Sequence, residues 1–293
     1  MTDRIPFTDS HVHFYDLTDP MLHYPWLQQG GEGIETKTVG DYAAIRAERY
    51  WADDFAAEVR FQNVERVVHV QASLGMPDPV DETSWLQAFH DRIGIPHGVI
   101  GYVDLTKPDA REVVERHRKF GVFRGIRDLR YDDYLTNPAW EEGFAVVAEH
   151  ELVVCDRPLF EHATALVDFA SRYEGVTFCL DLALGPKQRN AEYLELWRSK
   201  LHELAAVPNT VIKIAGLGMG DRAWTVDSIR PLVLACIEEF GVQRSFFGSN
   251  WPVDRLYSSY GDVLDAYAEI ISGFSEGEQR ALFTDNARRI FKV

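Results

Sequence analysis

An α/β fold, specifically a (β/α)8 TIM barrel forming a single domain over residues 1–293 with a long insertion after the first strand, is predicted by three features of the sequence. Short β-branched runs alternate with longer helical stretches after residue 60, the signature of parallel βαβ units. Together with IPFTDSHVHF (5–14) the runs number eight. The length suits one barrel of about 250–300 residues, near the size at which single cores stop growing.

The first strand lies in IPFTDSHVHF. The next seven are RVVHVQA (66–72), HGVIGYVDL (97–105), GVFRGIRD (121–128), ELVVCD (151–156), GVTFCLDL (175–182), TVIKIAG (210–216) and QRSFFGSN (243–250). Helices are expected over 81–93, 109–119, 138–149, 160–173, 190–206, 226–240 and 260–272, with Pro or Gly near several of their boundaries. Residues 15–60, containing HYPWLQQGGEGIET and a helical pattern near 41–59, are too long for a turn. Such an insertion is expected to cover or shape an active site. A doubly wound open sheet would call for a Gly-rich phosphate loop after the first strand, and none is there. No linker, low-complexity segment or further repeat divides the chain.

Charge narrows the class of partner. With 30 Lys and Arg against 46 Asp and Glu, the formal charge is −16, which argues against nucleic acid or an anionic membrane and for a small molecule. An anionic substrate then requires a locally positive pocket. Cys155, Cys179 and Cys236 are widely spaced and form no CxxC pair, so neither a disulfide framework nor a structural zinc module is indicated, and a reducing cytoplasm is the expected location. No targeting segment or membrane-span-length apolar run is read in the chain. A homo-oligomer is left open.

Barrel enzymes place their chemistry at the C-terminal ends of the strands, and alternation decides which side chains face inward. On that rule His11 and His13 share a face with Phe7 and Asp9, His69 shares one with Gln71 opposite Val68 and Val70, and Lys213 points inward while Ile212 and Ile214 face the helices. Asn250 closes the eighth strand, and Arg127, Asp156 and Asp181 end theirs. The mouth is therefore expected to collect His11, His13, Gln71, Arg127, Asp156, Asp181, Lys213 and Asn250. Trp26 in the insertion, and Trp251, Asp254 and Arg255 just beyond the eighth strand, are added to it. Any single buried Lys or Arg also reads as a structural ion pair with Asp156 or Asp181. His69 reads as a hydrogen-bonded packing residue, and His23, His90, His97, His117, His150, His162 and His202 as surface residues of loops or helices.

These segments resemble the lactonase branch of the amidohydrolase superfamily, which includes L-fuconolactonase, L-rhamnono-lactonase and 2-pyrone-4,6-dicarboxylate lactonase. DSHVHFYD with YPWL, HVQAS with DETSWL, GYVDL with PDA, FRGIRD, GFAVVAEHELVVCD, VPNTVIKIAGL, FFGSNWPVD and TDNARRIF match in order along most of the chain. The resemblance implies first-strand histidines, a sixth-strand His and an eighth-strand Asp around a scissile carbonyl. Two of these depart here, with Leu182 at the His position and Asn250 at the Asp position. An amide cannot act as a base near neutral pH, so Asn250 orients but does not deprotonate. A catalytic zinc takes three protein ligands, and only His11 and His13 are recognisable; Asp181 or Asp254 would complete a weaker site. The cofactor expectation is thus none, or a weakly held divalent metal such as zinc.

The expected function is a hydrolase opening a lactone or related cyclic ester, including carboxylated or sugar-acid substrates. His11, His13, Lys213, Asn250, Asp181 and Asp254 are assigned to catalysis, and Gln71, Arg127, Asp156, Trp26, Trp251 and Arg255 to substrate binding. In a metal-free version Arg127 and Lys213 meet a substrate carboxylate or the developing oxyanion, His11 or His13 transfers the proton, and Asp156, Asp181 or Asp254 orients that histidine or acts as base. A decarboxylase or other lyase of the same superfamily, and a non-catalytic ligand-binding descendant, are the alternatives.

Overall fold

The computed structural model describes residues 4–27, 39–130 and 132–293. Eight parallel strands form the barrel: Phe7–Val12, Val64–Val70, Gly98–Tyr102, Phe123–Arg127, Val153–Asp156, Phe178–Leu180, Thr210–Ile214 and Ser245–Phe247, each paired with the next in chain order. The seam between first and last is closed just above the strands, where Val12 bridges Trp251 and the His13 N–H donates to the Trp251 carbonyl at 2.7 Å. Asp9 ties the same seam, accepting from Ser249 N at 2.9 Å and Ser249 Oγ at 2.6 Å. The strands are shorter than their apolar runs in the sequence, because the last residues of several runs leave the ladder to form the mouth.

A helix follows every strand: Ala52–Glu58, Asp81–Ile93, Ala110–His117, Pro138–Glu149, Ala163–Arg172, Ala191–Ala205, Val226–Phe240 and Tyr260–Ile270. Local chemistry sets their ends. Asn137 accepts from Ala139 N with Pro138 in the first turn, and Thr225 accepts from Ser228 N, caps that contribute roughly 1 kcal/mol each. None of the described helices is long and apolar enough to cross a membrane.

The insertion departs from its helical reading over 41–59. The described part holds a 3-10 turn at Tyr42–Ile45, an antiparallel pair of two-residue strands, Tyr15–Asp16 with Arg49–Tyr50, and the seven-residue helix Ala52–Glu58. Of the stretch HYPWLQQGGEGIET, positions 28–36 lie outside the described residues.

Val68, Val70, Ile100, Val153, Cys155, Cys179, Val211 and Phe246 fill the barrel interior, and Ala287, Ile290 and Phe291 of the last helix, Asn286–Phe291, close it from below. This corrects the alternation read for the second strand. Val68 and Val70 face inward, so His69 faces the helices and Gln71 lies past the strand end. In the first strand a register irregularity between Asp9 and Val12 breaks strict alternation. Phe7 packs edge-on against Phe283 and Asp9 accepts from Tyr260 Oη at 2.9 Å, both toward the helix layer, whereas His11 and His13 turn to the interior.

Candidate active site

The first strand delivers a histidine pair whose Nε2 atoms are 3.1 Å apart. His13 Nδ1 lies 2.8 Å from the Val70 carbonyl, an acceptor only, so this nitrogen carries the proton and His13 Nε2 carries a lone pair. His11 Nε2 must then donate to it, which leaves His11 Nδ1 unprotonated, 3.8 Å from Asp181 Oδ1 and without a hydrogen bond. Burial holds both imidazoles well below the usual histidine pKa, reinforced by Lys213 at His11 and by Arg127 at His13. The pair is neutral at pH 7.

Beneath the pair lies a buried ionic network. Asp181, the first residue after the sixth strand, accepts from Lys213 Nζ at 2.8 Å on Oδ1 and faces Arg127 Nε at 3.2 Å from Oδ2. The latter is an ion pair without an aligned hydrogen bond. Burial alone would lower the Lys213 pKa, but Asp181 and the Cys155 and Cys179 sulfurs raise it, and the ammonium stays charged. Its Nζ is 3.7 Å from Cys155 Sγ and lies over the Phe291 ring. Arg127 Nη1 donates to the Gln71 carbonyl at 3.4 Å, and among the described residues its Nη2 has no hydrogen-bond partner.

Two neighbouring carboxylates are perturbed. Asp156 is pushed up to about 6 by burial, although Tyr134 Oη donates to Oδ2 and Arg157 N donates to Oδ1 at 2.7 Å. Asp254 is pushed up to about 7 by burial; the Asn250 amide and a Gly218 backbone contact offset part of that shift.

The residues after the sixth strand take an unusual path. Leu182, Ala183 and Leu184 all have positive φ, at 56°, 52° and 58°, followed by Gly185 at 61°. Left-handed backbone costs about 1–2 kcal/mol at each non-glycine position. Trp197 Nε1, donating to the Ala183 carbonyl at 2.8 Å, and Gly185 N, donating to the Leu182 carbonyl at 2.8 Å, hold the turn.

A family model described as amidohydrolase matches residues 8–293. An L-fucono-1,5-lactonase of Burkholderia ambifaria is 31% identical over 99% of this chain and 93% of its own length. An uncharacterized protein of Sinorhizobium fredii is 36% identical over 99% of both chains. The chain belongs to the amidohydrolase family. Among solved structures, a zinc-bound amidohydrolase from Burkholderia multivorans superposes on this amidohydrolase with a TM-score of 0.82 at 26% identity, covering 98% of this chain and 99% of the other. The family makes it a hydrolase, and lactonases stand among its relatives.

Zinc is the metal that the fold family brings to mind, and the residues of this amidohydrolase can be tested for it. The Nε2 separation of 3.1 Å is close to the edge of a tetrahedral zinc site, about 3.3 Å for Zn–N bonds of about 2.0–2.1 Å. A third ligand is the difficulty. Among the described residues, the His, Cys, Asp and Glu groups whose donor atoms converge within 4.8 Å are Cys155–Cys179–Asp181 and Glu115–Glu149–His150, and neither includes His11 or His13. The first cluster already holds the Lys213 ammonium, which would repel a cation. Leu182 and Asn250 supply no anionic or imidazole donor. The residues present do not fit a three-ligand zinc.

Of the residues assigned to the site from sequence, the structure gathers His11, His13, Arg127, Asp181 and Lys213 into one contiguous network. Trp26 adjoins it, its ring 5.8 Å from that of His13 and its Nε1 donating to the Ala72 carbonyl. Gln71 is buried but turned away, its amide donating to the Ser73 carbonyl at 2.7 Å. Lys213 is fully buried and pairs with Asp181. Trp251 and Arg255 are not in the network. Both bind Glu58 on the insertion helix, and Arg255 lies over Tyr50, because the chain turns outward at Asn250 to anchor the insertion.

Two histidines read as surface residues are buried. His117 bonds Thr83 Oγ1 and the Tyr102 carbonyl. His162 lies edge-on to Tyr134 at 5.6 Å. His69 accepts from Phe14 N at 3.2 Å through Nδ1, which puts its proton on Nε2 facing Glu82 at 3.4 Å. Tyr134, His162 and Glu82 carried no sequence signal, since each lies in a connection or a helix where polar residues are ordinary.

Proposed function

We propose that the protein hydrolyses a lactone by water attack on the ring carbonyl, without a tightly bound metal. The observation that carries the reading is the neutral His11–His13 pair held over the Arg127–Asp181–Lys213 network. The neutral pair presents the His11 Nδ1 lone pair, and a proton transferred to that nitrogen during the reaction would face the Asp181 carboxylate. The Arg127 Nη2 donor supports a role in holding the carbonyl oxygen as charge develops on it. In this reading Lys213 and Asp181 fix Arg127 and His11, while Trp26 and Asp156 border the substrate.

Sugar-acid 1,5-lactones are the first substrates to try, since an L-fucono-1,5-lactonase is 31% identical over nearly the whole chain. The test is acid release from a panel of sugar-acid and carboxylated lactones, with carbon dioxide followed in parallel. Acid release above the spontaneous rate supports the reading. Carbon dioxide release instead, or thermal stabilisation by the compounds with no turnover, overturns it.

A further inference from the structure

The ladder of the second strand reaches its last bond at Gln71, whose N–H donates to the Ile100 carbonyl at 2.8 Å. The next two backbone donors turn to a single side-chain atom instead. Ala72 N donates to Glu82 Oε1 at 3.1 Å, and Ser73 N donates to the same oxygen at 2.8 Å. Glu82 is buried and stands in the first turn of the helix Asp81–Ile93, where the helix dipole favours a carboxylate. His69 Nε2 faces that oxygen as well, 3.4 Å away.

The insertion rests on the other side of this strand exit. His23 N donates to Ser73 Oγ, and Ser73 Oγ donates to the His23 carbonyl, both at 2.8 Å. Leu74 N donates to the His23 carbonyl and His23 Nδ1 to the Leu74 carbonyl, again at 2.8 Å. Trp26 Nε1 donates to the Ala72 carbonyl at 2.8 Å, and its ring lies 5.8 Å from that of His13. The indole beside the histidine pair therefore hangs on Ala72, and Ala72 is held through its own N–H by Glu82. Hydrogen bonds to an ionised acceptor are about twice as strong as neutral ones, which makes this carboxylate a firm fixed point.

We propose that Glu82 is a positioning residue: by holding Ala72 and Ser73 it sets where residues 22–27 of the insertion lie, and so where Trp26 meets the lactone. This rests on the lactonase reading, in which Trp26 borders the substrate, and extends it to a residue of the helix layer. Without the carboxylate two buried N–H groups lose their acceptor, and the exit shifts to satisfy them, carrying the insertion with it. Glutamine keeps an acceptor oxygen at the same reach and retains both bonds.

The test combines amide hydrogen exchange with kcat/KM on whichever lactone is hydrolysed, for wild type, Glu82→Gln, Glu82→Ala, Trp26→Ala and the double variant Glu82→Ala/Trp26→Ala. Exchange over residues 22–27 and 72–74 should rise about tenfold or more in Glu82→Ala, stay at the wild-type rate in Glu82→Gln, and be unchanged in the strands Thr210–Ile214 and Ser245–Phe247. Glu82→Ala should lose about 10- to 100-fold in kcat/KM, since a misplacement of about 1 Å can cost about 100-fold, and Glu82→Gln should lose no more than about threefold. With Trp26 already replaced, Glu82→Ala should cost no more than about threefold further, because the indole it positions is gone; a purely structural role would cost the same in both backgrounds. If Glu82→Ala does not fold, Ser73→Ala, which removes both hydroxyl bonds to His23, takes its place in the exchange measurement and in the cycle with Trp26→Ala. Exchange over residues 22–27 that does not rise, or a cost that is undiminished by Trp26→Ala, overturns the positioning role and leaves the lactonase reading standing. Wild type that hydrolyses no lactone overturns that reading, and hydrogen exchange alone then decides whether Glu82 anchors the insertion.

Discussion

Lys213 Nζ lies 2.8 Å from Asp181 Oδ1, and neither side chain has any exposed surface. A buried carboxylate that loses a partner is left with uncompensated charge, which typically costs about 3–5 kcal/mol. Lys213→Met should therefore lower the urea unfolding midpoint sharply and reduce turnover, since Asp181 would no longer hold Arg127 and face His11. Unfolding within about 1 kcal/mol of wild type would show that the pair is dispensable.

The donor set around His11 and His13 leads to a prediction about metal. With no third ligand converging on the pair among the described residues, exhaustive dialysis against a chelator should leave turnover unchanged, and zinc added back should give no increase. Loss of activity on chelation that is restored by zinc would show that a ligand is recruited on binding.

The barrel was legible because its signals are redundant. Eight β-branched runs alternate with amphipathic stretches, and the helix read over 81–93 forms at Asp81–Ile93. The sites at strand ends were legible where alternation held, as for Lys213 opposite Ile212 and Ile214. Alternation failed at Asp9, where the ladder slips, and at His69 and Gln71, where the inward face is Val68 and Val70. A bulge leaves no mark in the residue pattern. Nor did the left-handed turn over Leu182–Gly185, which only tertiary contacts such as Trp197 to Ala183 can hold. Trp251 and Arg255 stood beside the mouth in sequence, but Asn250 turns the chain outward there.

Arg255 gives a test of that outward turn. Its ion pair with Glu58 is partly exposed, with side chains 36% and 28% accessible, so Arg255→Ala should cost no more than about 1 kcal/mol. KM for the lactone should stay within about twofold of wild type. A large rise in KM would return Arg255 to the substrate.

Asp128 offers a prediction about stability and pH. Burial raises its pKa to about 7 despite the opposing charge of Arg130, so the folded state binds a proton that the unfolded chain has released above its ordinary value of 3.8. Stability from this group is present at low pH and falls as pH rises from about 4 toward 7. Asp128→Asn cannot ionise, so its melting temperature should exceed that of wild type at pH 8, with the difference shrinking as the pH is lowered through 7 toward 5. A variant less stable than wild type at pH 8 would show that the charged form is favoured by Arg130.

The most direct measurement is the initial rate of acid release from sugar-acid lactones by chelator-treated wild type and by His13→Ala, each verified as folded by circular dichroism. Proton transfer by a positioned side chain contributes about 100- to 10,000-fold, so wild type should exceed the spontaneous rate and His13→Ala should lose about 100-fold or more in kcat. Equal rates in the two proteins, or no release above background from wild type on any lactone, would contradict the account.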